Sequence, residues 1–227
     1  MVASSRPPAA SGPAPASWAS YCASNLDRTL EVHGRGDCPL TLEPGDLVLI
    51  KCRDVVGWLV RLGQALNSDY RVRGYSVFDH VALAISEDCI VEADQKGIHR
   101  SPIADYQNTL YVRVNYSGQH LSRRAAVEFA TYRAEEGAQG RLRYASVTAV
   151  FLAFRVWFRS PFSVVKRNTD TCAQLVTEAL AHGGMIFQRE PADTLAADLA
   201  VEFGVDEETR NAVWARRPQA CRRCRAS

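Results

Sequence analysis

The first strong hydrophobic signal in the chain is the run Leu47, Val48, Leu49 and Ile50, set directly behind Glu43-Pro44-Gly45-Asp46. A Pro-Gly pair is turn chemistry, and four apolar residues bounded by a turn predict a short buried strand. Val55, Val56, Leu59, Val60, Leu62 and Leu66 then recur at helical spacing, with Asp54 as the cap. Residues 68–78 have no period and read as a loop. Val81, Leu83 and Ile85 alternate with His80, Ala82 and Ala84, the period of two of a strand. Ser86-Glu87-Asp88 turns the chain, 89–93 returns as a second strand, and 109–114 supplies another. Neighbouring strands joined by short turns imply an antiparallel sheet.

Helical periodicity resumes at 121–136, with Ala125, Ala126, Phe129 and Tyr132 on one side and Gly137 and Gly140 to end it. Residues 171–180 are the best-marked helix, with Asp170 or Thr169 as cap and Gly183-Gly184 as closure. Residues 193–203 and 206–214 predict two short helices, and 20–40 reads as a loop or marginal helix. The expected organisation is a disordered leader over 1–20, one domain over 21–205 with its core in 42–199, and a helix and basic tail over 206–227. There is no internal repeat.

Composition narrows the classes. The 227 residues carry 27 Lys+Arg against 25 Asp+Glu, a net charge of +2, and 47% are hydrophobic, as in ordinary globular proteins. The basic residues are scattered, which argues against a nucleic-acid surface. The longest apolar stretch, 147–158, is interrupted by Arg155 and falls short of the ~20 residues that span a bilayer. It reads as a core or lid helix that could line an acyl pocket, so no stable membrane insertion is expected. The Ala/Ser/Pro-rich N-terminus lacks the apolar region of a signal peptide. Seven cysteines without framework spacing make disulfides unexpected, and a cytoplasmic setting follows as the default.

Cys172 is the first candidate for chemistry. It opens a helix, where unpaired backbone amides and the helix dipole favour an anion such as a thiolate. Cys172, Leu175, Val176, Ala179 and Leu180 share one face, so the sulfur turns toward the sheet. The bland alternative is a small buried hydrophobe. A thiol nucleophile needs a base, usually His, and a third group to orient it. His33, His99, His120 and His182 fall in loops or at helix ends. His80 opens a strand whose next residues on that face, Ala82 and Ala84, are small enough for the Cys172 helix to dock. Glu92 and Asp94 on the returning strand are the candidates for the third group. A three-residue loop pairs Ile85 with Cys89, which puts Glu92 across from Ala82, Asp94 across from His80, and both carboxylates on the histidine's face. A two-residue loop would reverse them. Cys221-Arg222-Arg223-Cys224 offers a C-x-x-C without a second ligand pair, so a disordered tail is the plainer reading than zinc or redox chemistry.

Together Gly45-Asp46, Asp79-His80-Val81-Ala82-Leu83-Ala84-Ile85, Val91-Glu92-Ala93 and Thr171-Cys172-Ala173-Gln174-Leu175-Val176 resemble the circularly permuted NlpC-type, papain-like cysteine hydrolases. That group includes the permuted papain-like amidases and, more distantly, lecithin retinol acyltransferase-like enzymes, and its histidine strand precedes its cysteine helix. The resemblance covers about residues 42–199. It implies an α+β fold, circularly permuted papain-like, with a mostly antiparallel sheet packed against helices. It also implies Cys172 as nucleophile, His80 as base and Glu92 as the orienting residue, with Asp94 as the alternative. The implied activity is hydrolysis of peptide or peptidoglycan-type amide bonds through an acyl-enzyme, without metal or cofactor, on a small peptide, amide or acyl substrate. A thiol acyltransferase or lipid esterase on the same scaffold, and a silent binding module, are the other readings. Gly140 to Tyr144 is similar to the family's Gly-x-x-Tyr element with one residue too many.

Overall fold

Strand pairing carries the architecture. In the computed structural model, which describes residues 26–35, 37–52, 55–66, 74–118, 121–139, 171–187 and 190–215, six strands form one sheet. They are β1 (Asp27–His33), β2 (Leu47–Lys51), β3 (His80–Ala84), β4 (Cys89–Asp94), β5 (Gly97–Pro102) and β6 (Leu110–Ser117). Their order is β1-β6-β2-β3-β4-β5, and each neighbouring pair is antiparallel. The helices are α1 (Val55–Ala65), α2 (Arg123–Ala138), α3 (Cys172–His182), α4 (Ala196–Glu202) and α5 (Glu207–Ala215). The chain is therefore α+β with an antiparallel sheet and helices packed on it. Among the described residues no helix is long and apolar enough to cross a membrane.

Two strands depart from the expected pattern. β1 forms where a loop or marginal helix is predicted, because only Leu30 and Val32 in Asp-Arg-Thr-Leu-Glu-Val-His meet the apolar core, while Asp27, Arg28 and Thr29 are exposed and His33 is buried against Tyr111. β5 is the other edge, and within Gly97–Pro102 only Ile98 joins the apolar core. Its hairpin with β4 is set by a two-residue connection, Gln95-Lys96, with Gly97 at φ +106° and the Lys96 amide on Asp94 Oδ1 at 2.7 Å.

The two faces of the sheet bury different residues. Leu47, Leu49, Val81, Leu83, Val91, Val112 and Val114 pack with Leu175, Val176, Ala179 and Leu180 of α3 and with Ala126, Ala130 and Ala134 of α2. The other face gathers Val48, Ile50, Ala82, Ala84 and Ile90 with Leu42, Ile103 and Tyr111. The expectation that α3 docks over Ala82 and Ala84 is thus corrected. The helix takes the Val81/Leu83 face, whose branched side chains offer more apolar surface to bury than two methyl groups.

α2 also differs in detail. Its buried side is the small-residue stripe Ala126, Ala130 and Ala134, while Tyr132 is exposed. Gly137 lies inside the helix and does not end it, since a Cβ there would sit 2.0 Å from the Ile98 carbonyl oxygen of β5. α1 buries Gly57, Gly63 and Gln64 and leaves Val55, Trp58 and Leu62 exposed, and Leu66 just beyond its end is exposed too. The cap of α3 is Thr171 and not the predicted Asp170 or Thr169, because the helix starts at Cys172. The predicted cap at Asp54, the 147–158 stretch, Gly140 and Tyr144, the Cys221/Cys224 pair, the 1–20 leader and the 216–227 tail lie outside the described residues.

Candidate active site

α3 begins where Thr171 caps it: its hydroxyl accepts from the Gln174 amide at 3.1 Å and its carbonyl from the Leu175 amide at 3.0 Å. Cys172 is then the first helical residue, with its amide among those left free of intrahelical partners. At the far end Gly184, at φ +95°, and the Met185 amide on the Leu180 carbonyl close the helix.

His80 is the first residue of β3, opposite Ile50 of β2. β3 and β4 pair as Leu83 with Val91 and Ala84 with Ile90, and Ile85 donates to the Cys89 carbonyl at 2.9 Å. This is the register that a three-residue loop dictates, and it sets Glu92 on the histidine's face. His80 Nε2 meets Glu92 Oε2 at 2.7 Å, and both side chains are buried. Asp94, the alternative, turns to the Lys96 amide at 2.7 Å and to His99 Nδ1 at 3.5 Å. Of the two carboxylates, the structure brings only Glu92 to His80.

The meeting of Cys172 with His80 follows from a local opening in the sheet. The amides of β3 that point to β4 are those of odd-numbered residues, and that of Val81, next in line beyond Leu83, donates to the Cys172 sulfur. The thiol therefore enters at the end of the β3–β4 ladder, reached from the α3 face, while His80 and Glu92 flank the opening. His80 hydrogen-bonds the same sulfur. Since Nε2 is engaged by Glu92, Nδ1 is the nitrogen left for the thiol.

The electrostatics follow from these contacts. Burial works against a charge on His80, yet the Cys172 thiolate and the Glu92 carboxylate beside it outweigh that cost and raise its pKa to about 10. Burial likewise favours the neutral Cys172 thiol, but the His80 imidazolium and the Val81 and Ala173 amides reverse the balance and lower it. Burial would raise Glu92, and His80, Ser101 and Tyr106 together hold it at about 2. The three shifts run together, toward a thiolate on Cys172, an imidazolium on His80 and a carboxylate on Glu92.

Tyr106 and Ser101 are the residues at this site that sequence reasoning missed. Tyr106 donates its hydroxyl to Glu92 Oε2, and Ser101 adds a second hydroxyl. Ser101 could have been found once β5 was recognised, since strand pairing puts His99 opposite Glu92 and Ser101 two residues further along. Tyr106 sits in a single 3₁₀ turn, Ile103–Tyr106, for which no periodic signal exists. His99, predicted in a loop, is a β5 residue with Nε2 3.6 Å from Glu92 Oε1.

The backbone around His80 is fixed from the opposite side. Asp79 accepts from the Cys52 amide at 2.7 Å and from Arg61 of α1, which also donates to the Cys52 carbonyl at 2.6 Å. Gln64 joins the Phe78 carbonyl at 2.7 Å to the Ala197 amide at 3.1 Å.

Neither a protein-family model nor a curated protein matches this chain. Among the described residues no group of three or more His, Cys, Asp or Glu side chains is placed to hold a metal ion. Cys38 is disulfide-bonded, while Cys52, Cys89 and Cys172 are not. That corrects the expectation of no disulfides and removes the cysteine argument for a reducing compartment.

Proposed function

We propose that this chain is a cysteine hydrolase acting on amide bonds of peptide or peptidoglycan type, on a circularly permuted papain-like fold. The observation that carries the reading is the three-part contact of Cys172 with His80 and of His80 with Glu92, built at a helix start and a strand start that lie far apart in the chain. A buried histidine that neutralises a thiol has little structural use, because an apolar pair of the same volume would stabilise the core as well at lower desolvation cost.

In the proposed cycle the Cys172 thiolate attacks the substrate carbonyl carbon, forming an S–C bond. The developing oxyanion is met by backbone amides at the start of α3, including that of Cys172 itself. His80 gives its proton to the leaving amine as the C–N bond breaks, and the acyl group remains on sulfur. A water then enters, His80 takes one of its protons, and the hydroxyl oxygen attacks the thioester carbonyl. Breaking the C–S bond releases the acid and restores the thiolate–imidazolium pair. Glu92 holds the imidazole orientation through Nε2 at each stage.

A second reading, a thiol acyltransferase or lipid esterase, is favoured by one observation. α1, tied through Arg61 to Asp79 beside His80, exposes the apolar residues Val55, Trp58 and Leu62, followed by the exposed Leu66. A panel of peptide and γ-glutamyl amides beside short and long acyl esters separates the readings, with Cys172→Ala as the blank. Amide cleavage abolished in Cys172→Ala supports the amidase. Turnover that rises with acyl length moves the assignment to a lipid substrate, and an inert panel with an unreactive Cys172 leaves a binding module.

A further inference from the structure

The Glu92 carboxylate has more donors than its pairing with His80 requires. His80 of β3, Ser101 of β5 and Tyr106 of the 3₁₀ turn all donate to it, and His99 of β5 lies 3.6 Å from its other oxygen. Tyr106 stands apart among them. Its hydroxyl shares Oε2 with His80 Nε2, and its ring lies within 18° of parallel to the imidazole with centroids 6.5 Å apart. The turn that carries it is fixed independently of the site. The Ile103 amide donates to the Asp88 carbonyl at 2.8 Å, the Gln107 amide closes on Ala104 at 3.1 Å, and the Ile103 side chain is buried in the apolar cluster on that face of the sheet.

We infer that Tyr106 is a positioning residue for the Cys172–His80–Glu92 constellation: it pins the Glu92 carboxylate against His80 Nε2 and keeps it ionised. The inference rests on the cysteine-hydrolase reading and adds to it a fourth residue that never touches substrate. Half-buried and held beside a carboxylate, the Tyr106 phenol stays protonated, burial and the Glu92 charge both pushing its pKa up. It therefore acts as a permanent donor. Cys52 and Asp94 are the other ionisable groups that face it, and both disfavour its anion.

A buried carboxylate that loses a donor is easier to protonate. Without the Tyr106 hydroxyl, Glu92 takes up a proton at higher pH, the His80 imidazolium loses its counter-charge there, and the Cys172 thiolate is reprotonated with it. The acid limb of thiolate reactivity then moves upward. Tyr106→Phe isolates the hydroxyl, because the ring and its packing remain. Tyr111→Phe supplies the structural comparison, since Tyr111 belongs to the same apolar cluster and its hydroxyl accepts from the Leu40 amide at 3.0 Å, away from Glu92.

The test is the pH dependence of iodoacetamide alkylation, read at the Cys172 peptide by mass spectrometry in the full chain, for wild type, Tyr106→Phe, Tyr111→Phe and His80→Ala, with urea unfolding run in parallel. The expected result is a limb shifted up by about one pH unit in Tyr106→Phe, the size set by losing one hydrogen bond to a charged group. Tyr111→Phe is expected to lose stability and keep the wild-type limb. A Tyr106→Phe limb that superimposes on wild type, or an equal shift in Tyr111→Phe, overturns the role of Tyr106 and leaves the hydrolase reading standing. A wild-type Cys172 whose reactivity is indifferent to His80→Ala overturns both.

Discussion

His80 must carry a proton in a largely buried place, and its two neighbours decide whether it does. Its pKa, raised to about 10 from an ordinary 6.5, means that its charge contributes stability that is full below pH 6.5 and lost as the pH rises through about 10. Glu92 runs the other way. Held at about 2 against an ordinary 4.5, it contributes stability that is full above pH 4.5 and lost as the pH falls through about 2. Between those limits the imidazolium is the resting state, and it is the form that protonates a leaving amine. NMR titration of the His80 ring is expected to show it charged through pH 8. Glu92→Gln keeps the side chain's shape and removes its charge, so the same titration is expected to move down by at least about one unit. In Glu92→Gln, kcat/KM against any amide the panel identifies is expected to fall roughly 100-fold, within the range for a general acid–base group that is misaligned. A titration unchanged by Glu92→Gln would remove Glu92 from the constellation.

At the scale of elements, the site depends on where β3 and α3 start and on how closely α2 approaches β5. The sulfur can reach the Val81 amide only because the β3–β4 ladder gives way at that end, while β4 continues with β5 through Asp94 and Gly97. β5, which carries Ser101 and His99, is backed by α2 at Gly137, where the Ile98 carbonyl occupies the place of a side chain. Gly137→Ala is expected to force the two apart and cost about 2 kcal/mol despite the better helix propensity of alanine. In a chain of this size that is a fall in Tm of roughly 4–8 °C. A melting temperature equal to or above wild type would show that the approach has slack. β3 and α3 were legible because their apolar residues recur at a strand or helix period and pack into the core. The edge strands β1 and β5 were illegible for the converse reason: one or two core contacts per strand leave no period to read.

Across the whole molecule, the end of β2 remote from His80 is held by a buried charge network. Asp46 accepts from the Glu43 amide at 2.7 Å, Arg113 Nε at 2.6 Å, Asn115 at 2.9 Å and Arg123 Nη2 at 2.5 Å, so one carboxylate joins β2, β6 and α2. Gly45, at φ +91°, makes the turn before it and leaves room for the Arg123 side chain. Asp46→Ala takes one carboxylate from Arg113 and Arg123, which keep Glu31 and Glu43 as partners, and is expected to cost about 1–3 kcal/mol, measured by urea unfolding. The variant's folded fraction is expected to keep wild-type Cys172 alkylation kinetics, because the network lies at the opposite end of β2. The sequence by itself determined the antiparallel hairpin of β3 and β4, the helix that opens at Cys172, and the face shared by His80 and Glu92, because strand period and loop length fix side-chain direction without reference to the rest of the chain. Only the tertiary structure decided that α3 packs on Val81 and Leu83, that Asp94 turns away, and that Tyr106 and Ser101 close on Glu92. Those outcomes depend on which apolar surfaces compete for burial and on which donors a buried carboxylate can gather, and both are settled by contacts between segments far apart in the chain.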